Sequence, residues 1–158
     1  MFIDGLHYHK QVDKDISNAL RFLNPGGVIM MHDCRPLSYK SSLYPYAKGI
    51  RDINGDCYKS LWKIRSRPDV DAKVLNIDWG LGLIQKASNS AELKTAYNES
   101  TMTNVQLYQT YMGDPTISRV SSWNEIKEWL PSVSMDRNVT NTVLSNQIIP
   151  MSKSVIKG

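Results

Sequence analysis

The chain has 158 residues, 41% of them hydrophobic and 22% charged, enough for one folded domain with a sizeable core. It holds no apolar run of membrane-spanning length and no charged leader ahead of an apolar stretch, so no membrane partner and no secretory signal are expected. A net charge of +4 would suit nucleic acid, but the lysines and arginines are scattered and no nucleic-acid module accompanies them, so none is expected as a partner.

The densest basic group, Lys59, Lys63, Arg65 and Arg67, reads as the solvated outer face of a helix. Cys34 and Cys57 form no CxxC pair and cannot build a zinc site alone, which suits a reduced, cytoplasmic setting. Two Asn-x-Ser/Thr triplets, at Asn98 and Asn138, are glycosylation sites by pattern only.

The first elements form the clearest unit. Phe2 and Ile3 favour an extended strand, and Asp4-Gly5 breaks it. Val12, Ile16, Ala19, Leu20 and Leu23 recur at helical spacing, and Asn24-Pro25-Gly26-Gly27 stops that helix. Val28 to Met31 is an apolar run without alternation, as expected of a parallel strand buried on both faces. The sum is a βαβ unit.

Cys34 to Asn54 is polar, rich in turn residues and too long for an ordinary connection. Asp56 is placed to cap a helix over residues 57–65, with Leu61 and Ile64 inward beside Tyr58 or Trp62. Residues 73–78 and 82–86 pattern as an antiparallel hairpin, with Gly80-Leu81-Gly82 as its turn rather than a phosphate loop and Asp78 and Trp79 as structural turn residues. Further on, Ser90 caps a short helix through Leu93 and Ala96. Val105, Tyr108, Tyr111 and Met112 fit one helical stripe, and Ser122-Trp123-Asn124-Glu125 is a capping box ahead of Ile126, Trp129 and Leu130, ended by Pro131. Residues 133–158 show no period and read as a loose tail or docking arm.

The chemistry follows from where the strands end. Ligands in open α/β sheets sit outside the carboxyl ends of parallel strands. Asp4 and Asp33 each fall just past an apolar strand core, and neighbouring strands lie about 4.8 Å apart. Two carboxylates that close call for a shared proton or a bound cation, and His7 and His32 stand beside them. The plainer alternative is that both aspartates only cap the following loops.

Phe-Ile-Asp-Gly-Leu-His, the helix with its internal Asp15, Pro-Gly-Gly-Val-Ile and His-Asp-Cys-Arg-Pro together resemble the second half of a class I S-adenosylmethionine-dependent methyltransferase. More narrowly they are similar to small-molecule O-methyltransferases with an Asp-Gly-x-His turn. Gly55-Asp56-Cys57-Tyr58-Lys59-Ser60-Leu61-Trp62 and Asp78-Trp79-Gly80-Leu81-Gly82-Leu83-Ile84 resemble that family's later helix and terminal hairpin. The resemblance covers residues 1–86 and implies a partial Rossmann-like α/β sheet ending in an antiparallel hairpin, with the N-terminal strands and glycine-rich cofactor turn missing. Residues 87–158 are then a helical or irregular extension.

It also implies methyl transfer from S-adenosylmethionine to a hydroxyl of a small molecule or saccharide, with residues 34–54 as a lid carrying Tyr39, Tyr44 and Tyr46. Asp4 and Gly5 would lie at the cofactor's methionine end. In a metal-dependent version Asp4 and Asp33 would hold magnesium, although Cys34 stands where an asparagine ligand is expected and a thiol suits a hard cation poorly. Without metal, His7 becomes the general base, with His32 orienting a neighbour and Asp33 completing the catalytic set. The rival expectation is a non-catalytic fragment or accessory domain that self-associates through an exposed sheet edge.

Overall fold

The computed structural model describes residues 1–88 and 93–130. The elements run β1 (Phe2–Ile3), α1 (His9–Phe22), β2 (Val28–Met31), α2 (Tyr58–Arg65), β3 (Val70–Leu75), β4 (Leu81–Lys86), α3 (Asn104–Gly113), α4 (Pro115–Ser118), β5 (Val120–Ser121) and α5 (Trp123–Trp129). One mixed sheet takes the order β1-β2-β4-β3-β5. β1 is parallel to β2 and β3 to β5, while β4 is antiparallel to both its neighbours. The fold is thus α/β, and β1 forms one edge of the sheet.

The opening unit forms as its residue spacing predicts. Val12, Ile16, Ala19 and Leu20 are all buried, each large side chain contributing on the order of 1.5–3 kcal/mol against exposure. The helix ends at Phe22, and Gly26 takes φ +75° in the turn to β2, a conformation open to glycine. Pairing Phe2 with Met30 and Ile3 with Met31 brings Asp4 and Asp33 to the same rim.

β2 departs from the expectation of two buried faces. Ile29 and Met31 face the main core, whereas Met30 is 38% exposed. The reason is coverage. Alternation along β3 and β4 sends Val74 and Ile84 to the side of α1 and α2, and Leu75 and Leu83 to the other side, where Ile126 of α5 packs. That second layer covers the β3–β4 end and leaves Met30 open.

The terminal hairpin forms, but β3 starts at Val70 and stops at Leu75 rather than running to Asp78. Leu107, Tyr111 and Ile117 join the same core as Ile3 and Ile16, and β5 adds a strand beside β3. The stripe on α3 is Leu107 and Tyr111, with Val105 and Met112 each 40% exposed. The capping box at Ser122 and Glu125 forms as expected. The expected cap at Ser90, Pro131 and the tail from 133 lie outside the described residues.

Of the basic group expected to be solvated, Arg67 is exposed and Lys63 half-buried, but Lys59 and Arg65 are interior. Lys59 is buried, its Nζ bonded to Asp56 at 3.1 Å and to Asn104 at 2.8 Å. Arg65 is buried under α4 and donates to the carbonyls of Thr116 and Ile117 at 2.9 and 3.2 Å. Burial and the charge of Arg119 lower its pKa against the opposing pull of Asp71. A helix face that looks polar in sequence is here roofed by α3 and α4.

Candidate active site

Asp4 and Asp33 meet at the sheet rim, bracketed by two imidazoles. His7 Nε2 lies 3.6 Å from Asp4 Oδ1 and 3.2 Å from Asp33 Oδ2, and His32 Nδ1 lies 3.4 and 3.3 Å from the same two oxygens. One ligand atom each from Asp4, His7 and Asp33 falls within a 4.8 Å cluster. These residues, with His32, open on a cavity of about 380 Å³ whose remaining wall is Arg51, Asp52, Ile53, Asn54 and Trp79.

The two histidines differ in what holds their far nitrogens. His7 Nδ1 sits 2.9 Å from the carbonyl of Ile53, which can only accept, so this nitrogen carries the proton. In the neutral ring the Nε2 lone pair then points at two carboxylates, an unfavourable arrangement unless a proton or a cation lies between. His32 has carboxylates on both sides, with Asp78 3.1 Å from its Nε2. Burial lowers the His32 pKa, but Asp33, the hydrogen bond to Asp78 and the charge of Asp4 outweigh it and raise the value above that of an ordinary histidine. His32 is therefore held at its rim position by acidic partners on both ring nitrogens.

Asp33 is 2% exposed and adopts φ +58°, a left-handed conformation that aspartate tolerates better than most residues but still at some strain. Its Oδ1 accepts from Asn54 Nδ2 at 2.7 Å, which leaves Oδ2 toward the histidines. Asp78 (φ +39°) and Trp79 (φ +55°) are also left-handed, and this strained turn carries Trp79 to within 6.0 Å of the His32 ring, edge-on. The expected purely structural turn thus supplies one wall of the cavity.

Cys34 does not face the cavity as a ligand. It is fully buried, its Sγ donates to the Met31 carbonyl at 3.2 Å, and burial pushes its pKa far up. A side chain on Gly82 would collide with that sulfur, 2.5 Å away. Gly5 has open space around the position of a side chain, so no close packing within the chain demands glycine there. Tyr39, Tyr44 and Tyr46 pack on other rings: Tyr44 stacks on Tyr8 at 4.5 Å and meets Tyr46 edge-on, and Tyr39 lies against Tyr108.

Asp56 caps a helix, but a different one from that expected. α2 begins at Tyr58 with no side-chain cap, while Asp56 Oδ1 accepts from the backbone N–H of His9, the first residue of α1, at 2.7 Å. Its own N–H donates to the His7 carbonyl at 3.2 Å. Gly55, at φ +62°, packs so closely that a Cβ would stand 2.0 Å from that carbonyl oxygen. Gly55→Ala is therefore expected to cost about 2–4 kcal/mol through left-handed strain plus the collision, read as a lower melting temperature.

Sequence reasoning missed Asn54, Ile53 and Arg51. Arg51 has no charge partner within contact distance among the described residues, and the loop holding all three has no period that would flag it. No described helix is long and apolar enough to cross a membrane.

Residues 1–34 match a family model described as a methyltransferase domain. The match spans β1, α1 and β2 and includes Asp4, Gly5, His7, His32 and Asp33, and it supports methyl transfer in general terms. No curated protein and no solved structure matches the chain at a significant level.

Proposed function

We propose that the chain carries the acceptor-side half of an S-adenosylmethionine-dependent methyl transfer to a hydroxyl of a small molecule or saccharide, with His7 as general base. The observation that carries this reading is the convergence of Asp4, His7 and Asp33 within 4.8 Å, inside the segment that matches a methyltransferase domain.

The donor set fits a divalent cation. Two carboxylates and an imidazole whose Nδ1–H is already engaged leave three lone-pair donors on one spot, and the carbonyl behind His7 is the usual support for a ligating or basic ring. An all-oxygen set suits magnesium best, so the nitrogen of His7 shifts the preference toward manganese or cobalt if it ligates. When bound, S-adenosylmethionine supplies the electrophilic methyl, and a cation on Asp4 and Asp33 lowers the pKa of the acceptor hydroxyl.

The chain's own residues do the rest. Where the cation rests on Asp4 and Asp33 and His7 does not ligate, His7 Nε2 takes the hydroxyl proton, the Ile53 carbonyl keeps the ring in the competent tautomer, and Asp33 stabilises the imidazolium formed. His32, held by Asp78, orients the Asp4 and Asp33 carboxylates. Trp79 and Arg51 shape the acceptor cavity. Asp4 and Gly5 are assigned to the cofactor's side of the rim.

A second reading, a non-catalytic domain that associates through its sheet edge, is favoured by Phe2 and Phe22, which are 55% and 75% exposed beside β1. One comparison separates the two: S-adenosylhomocysteine formation by the full-length protein, its His7→Ala form and its His32→Ala form, with a catechol and a methyl glycoside as probe acceptors. His7→Ala should lower turnover by at least about a hundredfold and His32→Ala by less than about tenfold. Unchanged turnover in His7→Ala removes His7 from the mechanism. Catalytic silence of the wild type together with a concentration-dependent dimer favours the second reading.

A further inference from the structure

We propose that Asn54 is a positioning residue of this site: its carboxamide, locked in a clasp of residues 53–56, aims the Asp33 carboxylate at the cation position while the same clasp aims His7. The inference rests on the cation reading above and extends it to residues that donate no ligand atom.

Asn54 is 1% exposed, and both ends of its side chain are engaged. Nδ2 donates to Asp33 Oδ1 at 2.7 Å, and Oδ1 accepts from the Leu37 N–H at 3.3 Å. A donor on one side and an acceptor on the other permit only this orientation of the amide. Asp33 Oδ1 is thereby occupied and Oδ2 is left facing His7 Nε2 at 3.2 Å.

The backbone on either side serves the other half of the site. Ile53 accepts from His7 Nδ1 at 2.9 Å, and Asp56 N–H donates to the His7 carbonyl at 3.2 Å. The N–H groups of Asn54 and Gly55 both donate to the Ser41 carbonyl, at 3.1 and 2.9 Å. Residues 53–56 thus hold one carboxylate and one imidazole that follow the carboxyl ends of two neighbouring parallel strands, so their positions are coupled. A neutral donor is the right chemistry at 54. It meets the Asp33 carboxylate as a donor without adding charge, whereas a carboxylate there would repel it. Groups that hold metal ligands in this way typically govern affinity by about 10- to 100-fold.

The test is a Mn²⁺ titration of the full-length protein, with free Mn²⁺ followed by electron paramagnetic resonance, against Asn54→Ala. Affinity should fall by about 10- to 100-fold while melting in EDTA moves by only a few degrees. Affinity within twofold of the wild type overturns the proposal. If Asn54→Ala does not fold, the wild type still decides. Mg²⁺ should displace the side-chain amide resonances of Asn54 together with the signals of His7 and Asp4, and amide signals that stay put while those two move overturn it. A wild type that binds neither ion refutes the cation reading and this inference with it, whereas wild-type binding with an indifferent Asn54 refutes the inference alone.

Discussion

Asp33→Asn is expected to abolish cation binding and to reduce methyl transfer by about 10³-fold or more, while the protein melts within about 3 °C of the wild type in metal-free buffer. The size of the functional loss follows from the several kcal/mol of charge stabilisation that a cation held by a buried carboxylate can supply. The small stability change follows from geometry. Asparagine accepts the φ of +58° that Asp33 adopts, and its Oδ1 keeps the 2.7 Å hydrogen bond from Asn54. What it gives up is charge: the pairing with His7 and His32 is lost, and so is the repulsion from Asp4.

Asp33→Ala should behave differently. Alanine pays about 1–2 kcal/mol for the left-handed backbone and leaves the buried Asn54 donor unsatisfied at roughly a further 1–3 kcal/mol. Scanning calorimetry of both variants with and without Mn²⁺ makes the comparison. If Asp33→Asn melts as low as Asp33→Ala, the carboxylate serves the fold rather than a ligand.

The part of the site legible in the sequence is the part built by two adjacent parallel strands. Asp4 and Asp33 could be placed on one rim because the apolar spacing of Val12, Ile16, Ala19 and Leu20 requires a helix between two strands, and the Asn24–Gly27 stop fixes where the second begins. Nothing local signals that Asn54 would return to Asp33 across 21 residues. A loop contact of that kind depends on the closure of the whole domain, and the turn-rich composition of residues 34–54 is equally consistent with an open lid.

Two readings had the right chemistry and the wrong partner. Asp56 is a helix cap, as a lone aspartate before a helical stripe suggests, but it caps α1 from 47 residues away because residues 53–56 fold back on the start of that helix. Lys59 and Arg65 of α2 pattern as solvated basic residues, yet Asn104 meets the first and the carbonyls of Thr116 and Ile117 meet the second. Periodicity tells which residues share a face. It cannot tell whether a later element covers that face.

The same buried cap makes Asp56→Asn the most damaging substitution expected for stability, about 3–5 kcal/mol at neutral pH, or a melting temperature lower by roughly 10 °C. The Asp56 carboxylate, 2% exposed, accepts from the His9 N–H at 2.7 Å, from His9 Nδ1 at 2.5 Å and from Lys59 Nζ at 3.1 Å. An amide in its place leaves the Lys59 ammonium buried with only the neutral oxygen of Asn104 as a strong partner. Burial pushes the Asp56 pKa up, but the hydrogen bonds from His9 and the charges of His9 and Lys59 outweigh it and hold it below the usual carboxylate range. A depressed folded value means that the unfolded chain takes up the proton first as pH falls. The stabilisation is therefore complete above the unfolded value of about 3.9 and fades as pH drops through the lower folded one. Urea unfolding at pH 7, 5, 4 and 3 should show the gap between wild type and Asp56→Asn constant down to pH 5 and closing below about pH 4. A gap that stays the same at pH 3 would assign the loss to packing rather than charge.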